Sequence, residues 1–421
     1  MGMRMKTIAI IASCDTKLRE VEYMKSCLHG AGMDTLVVDI SVGLVNPSGA
    51  DITREEVFQQ AGFAWDNVRT KSKGELVGLM AQAAQAAVRT MYRERRINGI
   101  LSAGGVQNTS VASAAMRQLP VGFPKVLVTT LASGKKAFGD VVGDKDIVVM
   151  PSISDFTGIN SNTGVILANA CACVAGMVKY AGHIVKKGSR PTVGVTLMGI
   201  TNTGCCAAID ELERLGVEAI GFHATGVGGS VMEQYAADGI LDGILDMTTH
   251  EIASEYMGGG FSHGAANRLV APVTSGIPMV VCPGGLDFVD YAKSEFPPRM
   301  EQRRYNMHNS VLAHIKLLPD EAAEVGRIFA ERLNLSRHGA RLVIPTNGMR
   351  LNTRPGEDLH QPETDQALVD SILQHLQPKA RVEMLEGNLN EADWGKRVAR
   401  IMVEELEAAG ISTGKGGSNG V

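Results

Sequence analysis

"TIAIIASCDTKLREVEYMKSCL" (residues 7–28) and "TVGVTLMGITNTGCCAAIDEL" (192–212) open the two halves of the chain in the same way. Each starts with an apolar run of strand length, breaks at small polar residues and continues as a helix. Unbroken apolar runs belong to strands covered on both faces, as in a parallel sheet. A strand that passes through a short turn into a helix is the first unit of a doubly wound α/β fold.

The pattern extends outward from both starts. In the first half "DTLVVDI" (34–40), "INGILSA" (97–103), "PKVLVTT" (124–130) and "DIVVMPS" (146–152) read as further strands. Helices are predicted at roughly 16–30, 53–62 and 72–93, and a small-residue helix over 161–186 closes the unit. "KKGSRP" (186–191) is a polar hinge, after which the pattern restarts. "VEAIGF" (217–222), "GILDGILDM" (239–247), "PMVVCPG" (278–284), "ARLVIPT" (340–346) and "ARVEMLE" (380–386) supply the strands of the second half. The expectation is an α/β protein of two Rossmann-like, doubly wound lobes with mainly parallel sheets and a cleft between them. The lobes are drawn at 1–186 and 187–410, followed by a Gly/Ser-rich flexible tail, 411–421.

Bulk composition agrees. Only 5% of the residues are aromatic and 48 are glycine, which suits many tight strand-to-helix turns better than a β-sandwich. A net charge of −4 argues against a nucleic-acid binder, which needs Lys and Arg to neutralise phosphates. The seven cysteines contain no CxxC and read as reduced thiols. The N-terminal apolar run is a strand rather than a signal peptide, and "GVILANACACVAGMV" (164–178) is too short to span a bilayer. A cytoplasmic protein without a membrane partner is expected.

Open α/β sheets bind ligands beyond the carboxyl ends of their strands, so the post-strand turns carry the chemistry. In the first lobe these are "SCDTK" (13–17), "SAGGVQNTS" (102–110), "TTLASGKK" (129–136) and "PSISDFTGINSNTG" (151–164). Their glycines admit a ligand to the backbone, and amides at helix starts bind phosphate. Neither GxGxxG after the first strand nor GxxxxGK[ST] is present, so these turns form neither a standard dinucleotide site nor a P-loop.

In the second lobe, "GITNTGCC" (199–206) contributes Thr201, and "HATGVGGS" (223–230) contributes His223, Thr225, Gly226, Gly228 and Gly229. "DMTTHE" (246–251) adds Thr249, His250 and Glu251, and "CPGGLDFVD" (282–290) adds Asp287. "RRYNMHNS" (303–310) reads as a loop that gathers Arg303, His308 and Asn309. The glycines 226–229 are expected to curl amides around an external anion, with Thr201, Thr225, Thr249 and Asn309 contacting a substrate. His223, His308, Glu251 and Arg303 are the acid–base and anion-clamp candidates for a hydrolase or C–C lyase acting on a small oxo-acid or phosphorylated metabolite. The same His and carboxylate residues leave a metal site open. Cys205 or Cys206, at a helix start, is a further nucleophile candidate.

The ordered set "DTKLREVEYMK", "GGVQNTS", "VTTLASG", "DFTGINSNTGVILANA", "GVTLMGITNTGCC", "GFHATGVGG", "MTTHEIASEYMGGG", "VVCPGGLDFVDY" and "RRYNMHN" resembles one family across about residues 5–409. It is the ATP-binding family typified by the N-terminal region of the tomato mosaic virus resistance protein. The resemblance implies ATP, with or without Mg²⁺, bound in the first lobe, and a homodimer or higher homo-oligomer; a small-molecule ligand is expected besides it from the turns of the second lobe. It maps the nucleotide turns onto Asp15, Thr16, Lys17, Gly104, Gly105, Asn108, Thr130, Ser133 and Gly134.

Overall fold

The computed structural model describes residues 5–43, 49–132, 139–180, 188, 190–258, 267–337 and 339–413. The chain divides into two compact units, Met1–Val185 and Lys186–Val421. In unit 1 the strands are β1 (Thr7–Ala12), β2 (Asp34–Asp39), β3 (Gly99–Gly104), β4 (Lys125–Thr129) and β5 (Val148–Pro151). All pair in parallel, in the order β2-β1-β3-β4-β5. Successive residues of each strand face opposite sides, and both sides are covered. Ile8, Ile10, Leu101 and Val126 pack with helices Cys14–Gly30 and Ser161–Tyr180. Ala9, Ile11, Ile100 and Leu127 pack with Lys73–Arg93 and Val106–Met116. Two buried faces are the physical reason these strands read as unbroken apolar runs.

Helix Ser161–Tyr180 is long and apolar enough to cross a membrane by length and composition. One stripe of it, including Leu167, Cys171, Val174 and Val178, is buried in the core of unit 1. The other small-residue helix, Lys73–Arg93, is also buried along one stripe, through Met80, Ala84, Ala87 and Val88.

Unit 2 contains β6 (Thr192–Leu197), β7 (Glu218–His223), β8 (Gly243–Thr248), β9 (Met279–Gly284), β10 (Phe288–Ala292), β11 (Tyr305–Met307), β12 (Leu312–Lys316), β13 (Arg341–Pro345) and β14 (Arg381–Leu385). Six of them form a parallel sheet ordered β14-β13-β9-β8-β6-β7. Counted from the start of the unit, this is the strand order of unit 1 with one strand added. The expected pair of doubly wound lobes with mainly parallel sheets is therefore present.

One feature corrects the sequence reading. Residues 303–310 do not form a loop throughout: Tyr305–Met307 is β11, which pairs antiparallel with β12 in a separate sheet ordered β10-β12-β11. A three-residue strand is too short to show a period. The period-2 alternation lies in its neighbours, where Val289, Tyr291, Ala313 and Ile315 alternate with Asp290, His314 and Lys316.

Helices Asn202–Arg214 and Ala392–Ala408 lie together on one face of the unit 2 sheet, packing Leu212, Val398 and Met402 into a shared core. They meet at two glycines. A Cβ added at Gly395 would fall on the backbone of Gly204.

Candidate functional site

In a sheet ordered 2-1-3-4-5 the chain winds to opposite sides from β1 and β3, and the crevice between their carboxyl ends is where ligands bind. Unit 1 has a pocket of ≈ 630 Å³ there. Ser13, Asp15, Thr16 and Lys17, after β1, line one wall; Gly105, Val106, Gln107 and Asn108, after β3, line another. Arg69, Lys71 and Lys73 close it from the start of helix Lys73–Arg93. Among the described residues the lining holds four cations and the carboxylate of Asp15, with Arg69 and Lys71 also facing the exposed Asp66 (3.3 Å) and Glu75 (3.7 Å). Helices Cys14–Gly30 and Val106–Met116 both begin at this pocket; neither is capped by the side chain of its own N-cap residue, and Asp39 takes the first amide of the former. Their first-turn amides and dipoles add to the positive potential.

The turns are held by a buried network. Asn108 Oδ1 accepts from the Ser13 amide (3.1 Å), and Asn108 Nδ2 donates to Ser102 Oγ (2.9 Å), which donates to the Ile11 carbonyl (2.6 Å). Asn108 thereby ties the turn after β1 to the turn after β3. Gly104 leaves room for it: a Cβ there would sit 2.6 Å from the Asn108 side chain. On the next turn Asp39 accepts from the amides of Cys14 (3.1 Å) and Ser41 (2.9 Å). Lys17 Nζ donates to the Phe156 carbonyl (2.5 Å), and Lys17 sits at a kink in its helix (φ −125°, ψ 21°). Thr130 follows β4 beside Gly105, 3.9 Å from a Cβ placed there. Ser133 and Gly134 lie outside the described residues.

In unit 2, the glycine turn after β7 surrounds a partner from its own chain. The amides of Gly226 and Gly229 both donate to Glu251 Oε1, at 3.1 and 3.2 Å. Glu251 Oε2 accepts from Arg268 Nε (2.5 Å), and Arg268 also bonds Asp246 (3.0 Å) and Glu233 (2.5 Å). A Cβ on Gly229 would collide with both Arg268 and Glu251. The glycines therefore let the backbone close over a buried ion cluster, and the anion they enclose is Glu251 rather than an external ligand. Burial, outweighing the Arg268 charge, raises the Asp246 and Glu233 carboxyls.

Other candidates are similarly engaged. Arg303 makes a two-pronged pair with Glu321 (2.7 and 2.6 Å). Thr201 Oγ1 bonds Thr248 Oγ1 (2.8 Å) and caps the Met198 amide (3.1 Å); Thr249 Oγ1 donates to the Cys282 carbonyl (3.0 Å). Asn309 Oδ1 accepts the Val311 and Leu312 amides, both at 2.8 Å, and so shapes the β11–β12 turn. His223 is exposed at the end of edge strand β7, its Nδ1 3.1 Å from the Leu197 carbonyl, and Thr225 is half-buried in the following turn. Cys205 is fully buried, and burial pushes its thiol up to about 12, which removes it as a nucleophile. Cys206 is exposed, with Sγ 3.5 Å from Asn202 Oδ1. Among the described residues no three His, Cys, Asp or Glu side chains are grouped to hold a metal ion.

His308 does join a cluster. Its ring stacks on His314 at 4.7 Å, and His314 meets Phe288 edge-on at 5.2 Å. His250 stacks on Phe288 at 4.2 Å, with Nε2 3.5 Å from Asp290 Oδ1. The Arg350 guanidinium also lies over Phe288, 4.2 Å from the ring centre. Arg350 and Lys316 both bond the buried Asp287 carboxylate, at 2.9 and 2.8 Å, and Lys316 also bonds Asp365 (2.6 Å). Burial alone would raise Asp287; the two cations overcome it and hold the carboxyl well below its usual range. Asp365 lines a second pocket, ≈ 580 Å³, at the carboxyl ends of β13 and β14.

The two domains of one family cover both units. The N-terminal domain of the uncharacterised protein family UPF0261 matches residues 6–183, and its C-terminal domain matches 190–406. The chain belongs to UPF0261. A UPF0261 protein of Clostridium tetani is 35% identical over 405 residues, which is 96% of this chain and 99% of that protein. One from Rhizobium meliloti is 32% identical over 397 residues, 93% and 97% of the two chains. The ToMV resistance protein Tm-1 of Solanum lycopersicum is 33% identical over 419 residues, 94% of this chain but 55% of the tomato protein. The relation to the tomato protein drawn from the motifs is thus shown, as common membership of UPF0261-like sequence.

For this UPF0261 chain, sequence reasoning found Asp15, Thr16, Lys17, Gly105 and Asn108, which share one pocket. It missed the pocket's other wall. "RTKSKGE" (69–75) puts three cations in five residues just before a helix start, a signal that only the fold ties to β1 and β3. In unit 2 it missed Arg268, Arg350 and His314, which stand outside the post-strand turns, and it singled out Asp287 rather than Asp290 from "CPGGLDFVD" (282–290).

Proposed function

We propose that unit 1 of this UPF0261 protein is an ATP-binding module. The observation that carries this reading is the ≈ 630 Å³ pocket at the β1/β3 crevice, with Lys17, Arg69, Lys71 and Lys73 around the starts of two helices, of which Val106–Met116 has no side-chain cap. Its size lies within the range of small-molecule sites, roughly 300–1,000 Å³. Its charge suits a polyphosphate: amides at the helix starts take phosphate oxygens, and the cations screen the remaining charge. Asp15, the carboxylate of the lining, is the residue that would meet Mg²⁺. Asn108, through its hold on Ser13 and Ser102, positions both turns rather than offering its own amide. All seven cysteines are free thiols, which supports a reducing compartment such as the cytoplasm.

Titration calorimetry with ATP, with and without Mg²⁺, tests the reading. Wild-type protein is expected to give saturable heat. Lys17→Ala removes one charge-assisted contact and is expected to weaken ATP about ten- to a hundredfold, the equivalent of ~1.5–3 kcal/mol. No saturable heat from wild-type protein in either condition would refute the proposal.

A further inference from the structure

The small antiparallel sheet of unit 2 has an apolar face and a polar face, and along β10 and β12 both are largely buried. Val289, Tyr291, Ala313 and Ile315 belong to the main apolar core of the unit. The opposite face carries Phe288, Asp290, His314 and Lys316, of which the most accessible, His314, is only 5% exposed. Cross-strand pairing puts Asp290 and Asn306 directly on either side of His314, on the same face. Burying so many polar groups is costly unless each is satisfied.

Two are not. Arg350 is 0% exposed, and its Nη2 has no hydrogen-bond partner; Asn306 Oδ1 is also buried without one. The Arg350 Nη2 needs an acceptor, while Asn306 Oδ1 needs a donor. Both belong to the surroundings of His314: Asn306 through the strand register, Arg350 through the shared Phe288 ring. Burial first, then the Arg350 charge and His308, pushes His314 down to about 4, so its ring is neutral at physiological pH.

The position in the fold is also that of a ligand site. Ile200 follows β6, His250 follows β8 and Gly285 follows β9; a Cβ on Gly285 would lie 3.2 to 3.5 Å from His250, Phe288 and Ile200. The Leu351 amide, next to Arg350, donates to the Ile200 carbonyl (2.8 Å). The cluster therefore stands at the carboxyl ends of β6, β8, β9 and β13, the edge where open sheets hold ligands. His308, exposed and stacked on His314, marks its solvent side.

We infer that Arg350, His314 and Asn306 form a second ligand site, which takes a small organic acid bearing a hydroxyl beside its carboxylate. The carboxylate oxygen accepts from Arg350 Nη2, the hydroxyl donates to Asn306 Oδ1, and the His314 ring lies next to that hydroxyl. This site is separate from the nucleotide pocket and stands or falls independently of it.

Glycolate and acetate are the probes, since they share a carboxylate and differ by the hydroxyl. The readout is the imidazole resonances of His314 and His308 in the full chain, assigned with His314→Gln and His308→Gln. Both acids are expected to shift these resonances saturably, with glycolate binding about two- to tenfold tighter, the value of one neutral hydrogen bond. Arg350→Gln is expected to weaken both acids about tenfold or more. Asn306→Leu should leave acetate unchanged and abolish the glycolate advantage. Absence of any saturable shift in wild-type protein overturns the inference, as does unchanged affinity in folded Arg350→Gln. Should Arg350→Gln not fold, Asn306→Leu decides: a retained glycolate advantage overturns the inference.

Discussion

Replacing Arg268 by Met is expected to destabilise unit 2 by about 3–5 kcal/mol, the cost of removing one partner from a buried ion cluster. Arg268 pairs at once with Asp246, Glu251 and Glu233, and neither it nor Asp246 nor Glu251 is exposed. Methionine approximates the length of the stem but removes every donor. Asp246 keeps the Thr196 hydroxyl (2.7 Å), and Glu251 keeps the Gly226 and Gly229 amides. Those bonds do not replace the charge, so at least one carboxyl must take up a proton or draw in water. Arg268→Lys retains the charge without the three-way fork and should fall between wild type and Met. The check is urea unfolding followed by Trp394 fluorescence in a Trp65→Phe background, because Trp394 lies in the unit 2 core and Trp65 in unit 1. A loss under about 1 kcal/mol would show that the cluster is not what holds the β7 and β8 turns together.

Gly395→Ala is the second large effect, at about 2–3 kcal/mol, near the upper end of overpacking penalties. The added methyl would enter the space of the Gly204 carbonyl, carbonyl carbon and Cα. The obstacle is main chain inside helix Asn202–Arg214, so no side-chain rotation relieves it. The helices must separate, loosening Leu212, Val398 and Met402 in their shared core. Gly204→Ala should behave alike for a different reason, since its Cβ would strike the Leu389 carbonyl. By contrast Gly176→Ala, in helix Ser161–Tyr180 with nothing within 4 Å of the added Cβ, should be neutral or slightly stabilising through helix propensity. Unfolding midpoints of the three variants test this; equal stability of Gly395→Ala and wild type would contradict the packing argument.

The strands of both parallel sheets were legible because their cores demand it. A strand buried on two faces is apolar over most of its length, as "IAIIA" (8–12) is, and where "TVGVTL" departs from this the buried Thr196 hydroxyl is satisfied by Asp246. The turns that line the unit 1 pocket were legible for a related reason: the fold rule says which strand ends matter, and Ser13–Lys17 and Gly105–Asn108 follow those ends. The glycine turn at 226–229 misled because its reading needs a partner. Amides that converge on a point bind an anion, and the anion proved to be Glu251, 22 residues beyond Gly229, steadied by Arg268. Nothing in the spacing of either residue reveals that pairing. Arg303 misled similarly, since a cation in a polar stretch with His308 and Asn309 reads as a clamp until Glu321 is found to occupy it. Polar residues that meet across a sheet are set by topology, which a local pattern does not carry.

Hydrogen–deuterium exchange of the full chain with and without ATP tests the central claim most directly, because it reports both binding and place. The account predicts slowed exchange in peptides covering Ser13–Lys17, Gly105–Asn108 and Arg69–Lys73, the three walls of the unit 1 pocket. Protection by ATP confined to unit 2, or no protection at saturating ATP, would contradict it.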